Sequence, residues 1–97
     1  MKAPFFLPPA EEEMFAAAQY YESRAPGLGV DFLAEIKWAI EAMALHPNLG
    51  TVIRGQIRRC LVRRFPYGVL YRIEAEGIIV VAVMHLHRRP GYWRNRL

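Results

Sequence analysis

The side chains able to do chemistry are concentrated near the C-terminal end. Residues 85–96 read His85-Leu86-His87-Arg88-Arg89-Pro90-Gly91-Tyr92-Trp93-Arg94-Asn95-Arg96, with two imidazoles, four guanidiniums and two large aromatic rings. A guanidinium holds a phosphate and stabilises its extra charge during transfer, an imidazole moves protons near neutral pH, and Tyr or Trp stacks on a base. Such a set suits a surface that binds or cuts RNA. It suits packing equally well, with Tyr92 and Trp93 pinning the chain end onto a sheet while the arginines reach water along their apolar stems. The residue types leave both readings open.

Other combinations are less promising. His85 and His87 stand two apart and project to the same face of a strand, a spacing that metals use, but no third ligand is near in sequence. His46 falls at a helix end, so neither a metal nor another cofactor is expected. Ser23 and Thr51 are the hydroxyl residues besides tyrosine, neither in a nucleophile-elbow setting, and Cys60 reads as a buried strand residue. Covalent nucleophilic catalysis and nucleotide-driven chemistry are therefore not expected, the latter because no Gly-rich phosphate loop is present. Arg58-Arg59 and Arg63-Arg64 are paired basic residues. In an extended strand each pair sends one member to each face, one toward an anion and one along apolar neighbours.

Charge is divided unevenly along the chain. Residues 1–50 carry 3 basic and 7 acidic side chains, a balance of −4, whereas residues 51–97 carry 10 arginines against Glu74 and Glu76, a balance of +8. Arginine presents a planar fork that matches carboxylate and phosphate and stays protonated at any working pH. An anionic partner is expected, either nucleic acid or an acidic polypeptide, with the C-terminal guanidiniums gathered on one electropositive face. With 97 residues, 54% hydrophobic and 23% charged, the chain is expected to fold as a single domain over residues 1–97 rather than remain disordered. One cysteine excludes an internal disulfide framework. The proline-broken start and the seven apolar residues 78–84 are too short for a signal peptide or a membrane span, so a cytoplasmic protein with no membrane partner is expected.

These groups must be positioned by a few elements. Residues 2–7 suit an edge strand, because Pro4 removes a ladder donor. Pro8 and Pro9 before three glutamates signal a helix start, and Met14, Ala17, Ala18, Tyr21 and Ala25 make one apolar stripe, giving a helix over residues 9–25. A second amphipathic helix begins near Val30, with Phe32, Leu33, Ile36, Ala39, Ile40 and Met43 on its stripe, and ends at Pro47, Asn48 and Gly50. The short link between them predicts an antiparallel helix hairpin. Residues 56–65 read as a strand, and residues 67–74 alternate as a half-buried one. After the connection Ala75-Glu76-Gly77, residues 78–84 are apolar without alternation, as in a central strand covered on both faces. The fold class is α+β, in two layers: an N-terminal strand, a helix hairpin and a mostly antiparallel meander of three to four strands.

In this order the residues resemble a known family. Residues 63–73, the hairpin, the apolar strand and the run from His85 to Trp93, together with Tyr20-Tyr21-Glu22 and Pro26-Gly27-Leu28-Gly29 upstream, look like the RelE/ParE superfamily of toxins from type II toxin-antitoxin modules, which include plasmid stabilisation proteins. The resemblance covers essentially the whole chain. It implies a sheet of four or five strands with the N-terminal strand beside the last one. It also implies one of two activities, metal-independent cutting of messenger RNA in the ribosomal A site or poisoning of DNA gyrase. RNA cleavers of the family usually carry a basic residue where this chain has Gly68, whose missing side chain weighs toward the gyrase-directed, ParE-like activity. Under the RNA-cleaving alternative the catalytic residues would be Arg89, His87 and Tyr92. Target or RNA binding is assigned to Arg63, Arg64, Arg88, Arg89, Trp93 and Arg94. Arg58, Arg59 and Arg72 are expected to bind the acidic and apolar segment of a cognate antitoxin. A non-toxic nucleic-acid-binding module is the remaining alternative.

Overall fold

The structure is a computed structural model and describes residues 4–97. The elements run β1 (Phe5–Phe6), α1 (Pro8–Arg24), α2 (Leu28–Leu45), a single 3-10 turn (Pro47–Leu49), β2 (Thr51–Arg54), β3 (Ile57–Leu61), β4 (Tyr67–Glu74), β5 (Gly77–His85) and a final 3-10 turn (Arg94–Arg96). The sheet order is β1-β5-β4-β3-β2, parallel between β1 and β5 and antiparallel elsewhere. The two-layer α+β architecture and the placement of the first strand beside the last are as expected. Of the strand expected over 2–7, Phe5–Phe6 is formed, and residues 2 and 3 lie outside the described residues.

Local chemistry sets the element boundaries. Pro8 and Pro9 occupy the first positions of α1, where their missing N–H groups cost nothing, and the Leu7 carbonyl accepts from Ala10 and Glu11 instead. At the hairpin, the Glu22 carboxylate accepts from the backbone N–H of Gly27 at 2.9 Å and of Gly29 at 3.0 Å, capping α2 with a negative group at its positive end. The helix thereby starts at Leu28, before the apolar stripe begins. Gly29 is also where the helices touch: a Cβ there would stand 2.5 Å from the Ala18 carbonyl oxygen.

The stretch 56–65 expected as one strand is divided. Residues Ile57–Leu61 form β3, and the preceding Thr51–Arg54, which has no alternating pattern to announce it, forms the edge strand β2 across a turn at Gly55. The last hairpin is tighter than expected, since Gly77 already pairs with Glu74 and leaves two residues in the turn.

The core has two parts. Between hairpin and sheet, Phe32, Ile36 and Met43 of α2 and Ala10, Ala17 and Ala18 of α1 pack on Val69, Tyr71, Val80 and Val83. Complete burial of a side chain such as Phe32 or Ile36 is worth about 1.5–3 kcal/mol. Beyond the sheet, Ile57, Leu70, Val81, Ala82 and Met84 form a second cluster under Trp93. The register shift opposite Leu70 and Tyr71 leaves Val81 without a directly paired residue, which lets both Val81 and Ala82 contribute to this outer cluster. β5 is thus covered on both faces, which explains its unbroken apolar run.

Candidate functional site

The outer face of the sheet, opposite the hairpin, carries an arginine-walled trough. After β5 the chain turns through residues 86–91, and Trp93, only 6% exposed, drops onto the outer cluster. Two adjoining hollows, of about 410 and 440 Å³, share Arg54, Trp93 and Arg94 as walls. The first is also lined by Arg72 and Gln56, the second by Arg59, Arg88, Met84 and Leu86. Neither has a carboxylate side chain in its lining. Arg54 and Arg59 form no ion pair with any described residue, and Arg94 directs its Nε to the Gly91 carbonyl at 3.2 Å. The trough is therefore apolar below and cationic around its rim.

A second centre ties the tail to α1. The Glu13 carboxylate accepts from both terminal nitrogens of Arg96 at 2.8 and 2.9 Å, from the Tyr92 hydroxyl at 2.6 Å and from the Val83 N–H at 3.1 Å. β1 is too short to reach Val83, so a helix side chain satisfies that strand donor. Burial disfavours the Glu13 anion, but the bonds from Arg96, Tyr92 and Val83 together outweigh it and hold its pKa below the ordinary 4.5. Burial, then the bond to Glu13, pushes the Tyr92 phenol well above its usual range. Tyr92 therefore stays protonated with its proton directed at Glu13, which suits a structural role.

The remaining arginines are distributed elsewhere. Arg63 stacks on the exposed Trp38 ring with its guanidinium carbon 3.8 Å from the centroid and pairs with Glu35 at 3.0 Å. Arg64, at φ +70° in the β3–β4 turn, lies 3.6 Å from Asp31 and 3.8 Å from Glu35. Arg58 points to the hairpin side and donates to the carbonyls of Gly50 at 2.8 Å and Asn48 at 3.3 Å, fixing the 3-10 turn to β3. Arg72 pairs with Glu74 on its own strand at 2.6 Å. Arg88 sits over the Tyr92 ring at 4.0 Å and 3.8 Å from Glu13, while Arg89 is exposed and has no ion-pair partner among the described residues.

The expected single electropositive face is therefore split. Of the residues assigned to an antitoxin, Arg59 and Arg72 share the outer face and Arg58 lies on the other. Of those assigned to target or RNA, Trp93, Arg94 and Arg88 border the trough, whereas Arg63 and Arg64, in the β3–β4 turn, pair with carboxylates of α2. His85 and His87 lie together, ring centroids 5.3 Å apart, with the His87 N–H donating to His85 Nδ1 at 3.1 Å. Among the described residues no group of three or more His, Cys, Asp or Glu is placed to hold a metal. Arg54, Glu13 and Trp38 were not foreseeable as site residues: Arg54 lies in the unannounced edge strand, Glu13 reads as a helix-start carboxylate, and Trp38 falls off the apolar stripe of α2. That last offset was the one available signal, a large aromatic ring on a charged helix face.

Comparison with known proteins agrees with this architecture. The family model for the ParE toxin of the type II toxin-antitoxin system, parDE, matches residues 5–90. A structure described as the chromosomal ParDE TA system from P. aeruginosa superposes with a TM-score of 0.77 at 14% sequence identity, covering 90% of this chain and 98% of that one. No curated protein matches.

Proposed function

The chain belongs to the ParE toxin family of type II toxin-antitoxin systems, and from that premise we propose that it is a cytoplasmic growth-inhibiting toxin that binds DNA gyrase and is neutralised by a cognate antitoxin. The observation that carries the proposal is the trough: Arg54, Arg59 and Arg94 stand around an apolar floor without carboxylate partners among the described residues. An acidic and apolar segment of a second protein supplies both missing components, ion pairing at the rim and apolar cover for the floor. Plasmid stabilisation follows if the toxin outlives a labile antitoxin.

The tail weighs toward protein binding over RNA cleavage. Tyr92 is committed to Glu13, and Trp93 is buried in the outer cluster, so neither offers a free group to a nucleotide. With Tyr92 so engaged, the cleaving alternative is left with His87 and Arg89 of its three catalytic candidates, both exposed in the segment after β5. Inducible expression with and without the neighbouring gene, followed by gyrase supercoiling and message-integrity assays, separates the readings. Growth arrest with inhibited supercoiling and intact messages is expected. Cuts in messages that vanish in His87→Ala or Arg89→Ala would overturn the gyrase reading, and unimpaired growth would overturn the toxin reading.

A further inference from the structure

One arginine of the trough lays its stem across a position that only glycine leaves open. Arg59 pairs with Leu70, and Gly68 with Leu61, so Arg59 and Gly68 are diagonal neighbours on the same outer face of adjacent strands. The Arg59 stem lies across residue 68: a Cβ there would stand 2.9 Å from Arg59 Cγ and 3.0 Å from Cδ. These are mid-stem atoms, so a side chain at 68 would have to lift the whole arginine. The methylenes cover the buried glycine, and the Arg59 side chain lines the hollow that Arg54, Arg88 and Arg94 also border. A cation whose stem is ordered in the free protein loses less rotamer freedom on binding than a solvated one.

We propose that Arg59 and Gly68 form one recognition unit, in which the glycine seats the arginine stem and the guanidinium receives a carboxylate from an extended, acidic and apolar segment of a partner protein. This rests on the neutralised-toxin reading and names the determinant of partner choice within it. A peptide fits better than nucleic acid because the hollow is lined by the buried Met84 and Trp93 with the exposed Leu86 and Pro90 beside them, and Trp93 exposes too little ring to stack on a base.

The test uses the full chain and a labelled twelve-residue peptide of alternating Glu and Leu, followed by fluorescence anisotropy, with thermal melts to confirm folding. Arg59→Ala is expected to weaken binding about tenfold, as for a central interface arginine. Gly68→Ala is expected to weaken it about fivefold in the wild-type background and not at all in the Arg59→Ala background, since its effect passes through the stem. Arg59→Lys keeps the stem but loses the fork, and is expected to weaken binding even if Gly68→Ala fails to fold. Unchanged affinity in Arg59→Ala or Arg59→Lys, or additive losses in the double variant, would overturn the proposal. So would displacement of the peptide by a twelve-nucleotide single strand that binds more tightly. A wild-type chain that leaves growth unimpaired sinks the toxin reading alone, and a growth-arresting chain whose peptide affinity is unchanged in Arg59→Ala sinks this pairing alone.

Discussion

Removal of the Glu13 carboxylate tests whether the tail is held by the fold or merely lies on it. Glu13 and Arg96 are 15% and 17% exposed in their side chains, and four donors converge on the carboxylate. Breaking one partner of a buried ion pair typically costs about 3–5 kcal/mol, and the residual exposure places Glu13→Ala near the lower end of that range. For a domain of this size each kcal/mol shifts Tm by about 4–8 °C, so a loss of about 3 kcal/mol lowers Tm by about 12–24 °C. Glu13→Gln retains an acceptor but turns an amide N–H toward donors, and about half that loss is expected. The pH dependence has a definite sign. Because the folded pKa lies below 4.5, the contribution is complete above that value and disappears as pH falls through the folded pKa. Urea unfolding of wild type and Glu13→Gln should therefore converge in acid. A Glu13→Ala chain within about 0.5 kcal/mol of wild type at neutral pH, or a gap that persists below both pKa values, would refute the reasoning.

The other expectations follow from single contacts. The buried Tyr71 hydroxyl donates to the Pro47 carbonyl at 2.7 Å and accepts from the Gly50 N–H at 2.8 Å, so Tyr71→Phe should cost about 1–3 kcal/mol in urea unfolding by stranding both backbone groups. Gly29→Ala sets a methyl against the Ala18 carbonyl and should splay the hairpin, seen as a destabilisation of about 2 kcal/mol and faster hydrogen exchange in both helices. Trp38→Ala removes the ring under Arg63 and should cost less than about 1 kcal/mol in unfolding, because that cation–π contact is exposed; a larger loss would place Trp38 in the core energetics.

Elements with strong local signals were legible in the sequence. The paired prolines and following glutamates mark the start of α1, the stripe from Phe32 to Met43 marks the buried face of α2, and the apolar run of β5 announces a strand covered twice. β2 was not legible, because all four of its residues are exposed and an edge strand needs no alternation. The site was less legible still. Its geometry depends on the tail folding back over the sheet and on a diagonal contact between Arg59 and Gly68, residues nine positions apart on different strands. Charge counting also merged arginines that the fold separates.

That separation divides the charges into those that hold the two layers together and those left for a partner. Arg63, Arg64, Arg88 and Arg96 face carboxylates of the hairpin, Arg72 faces Glu74, and Arg58 is held by backbone carbonyls. Arg54, Arg59, Arg89 and Arg94 have no carboxylate partner among the described residues, which reduces the +8 of residues 51–97 to a far smaller set available for recognition. The acidic first half thus serves in part as an internal counterion for the basic second half. The two sets should respond differently to salt. Exposed pairs such as Arg64 with Asp31 contribute about 0–1 kcal/mol, and Glu13 with Arg96 is shielded from solvent, so stability should change little with ionic strength. Encounter with an acidic partner depends on the solvent-facing guanidiniums around Trp93 and should slow markedly as the Debye length shrinks. A fold that tolerates salt alongside an association that does not would be the signature of that division.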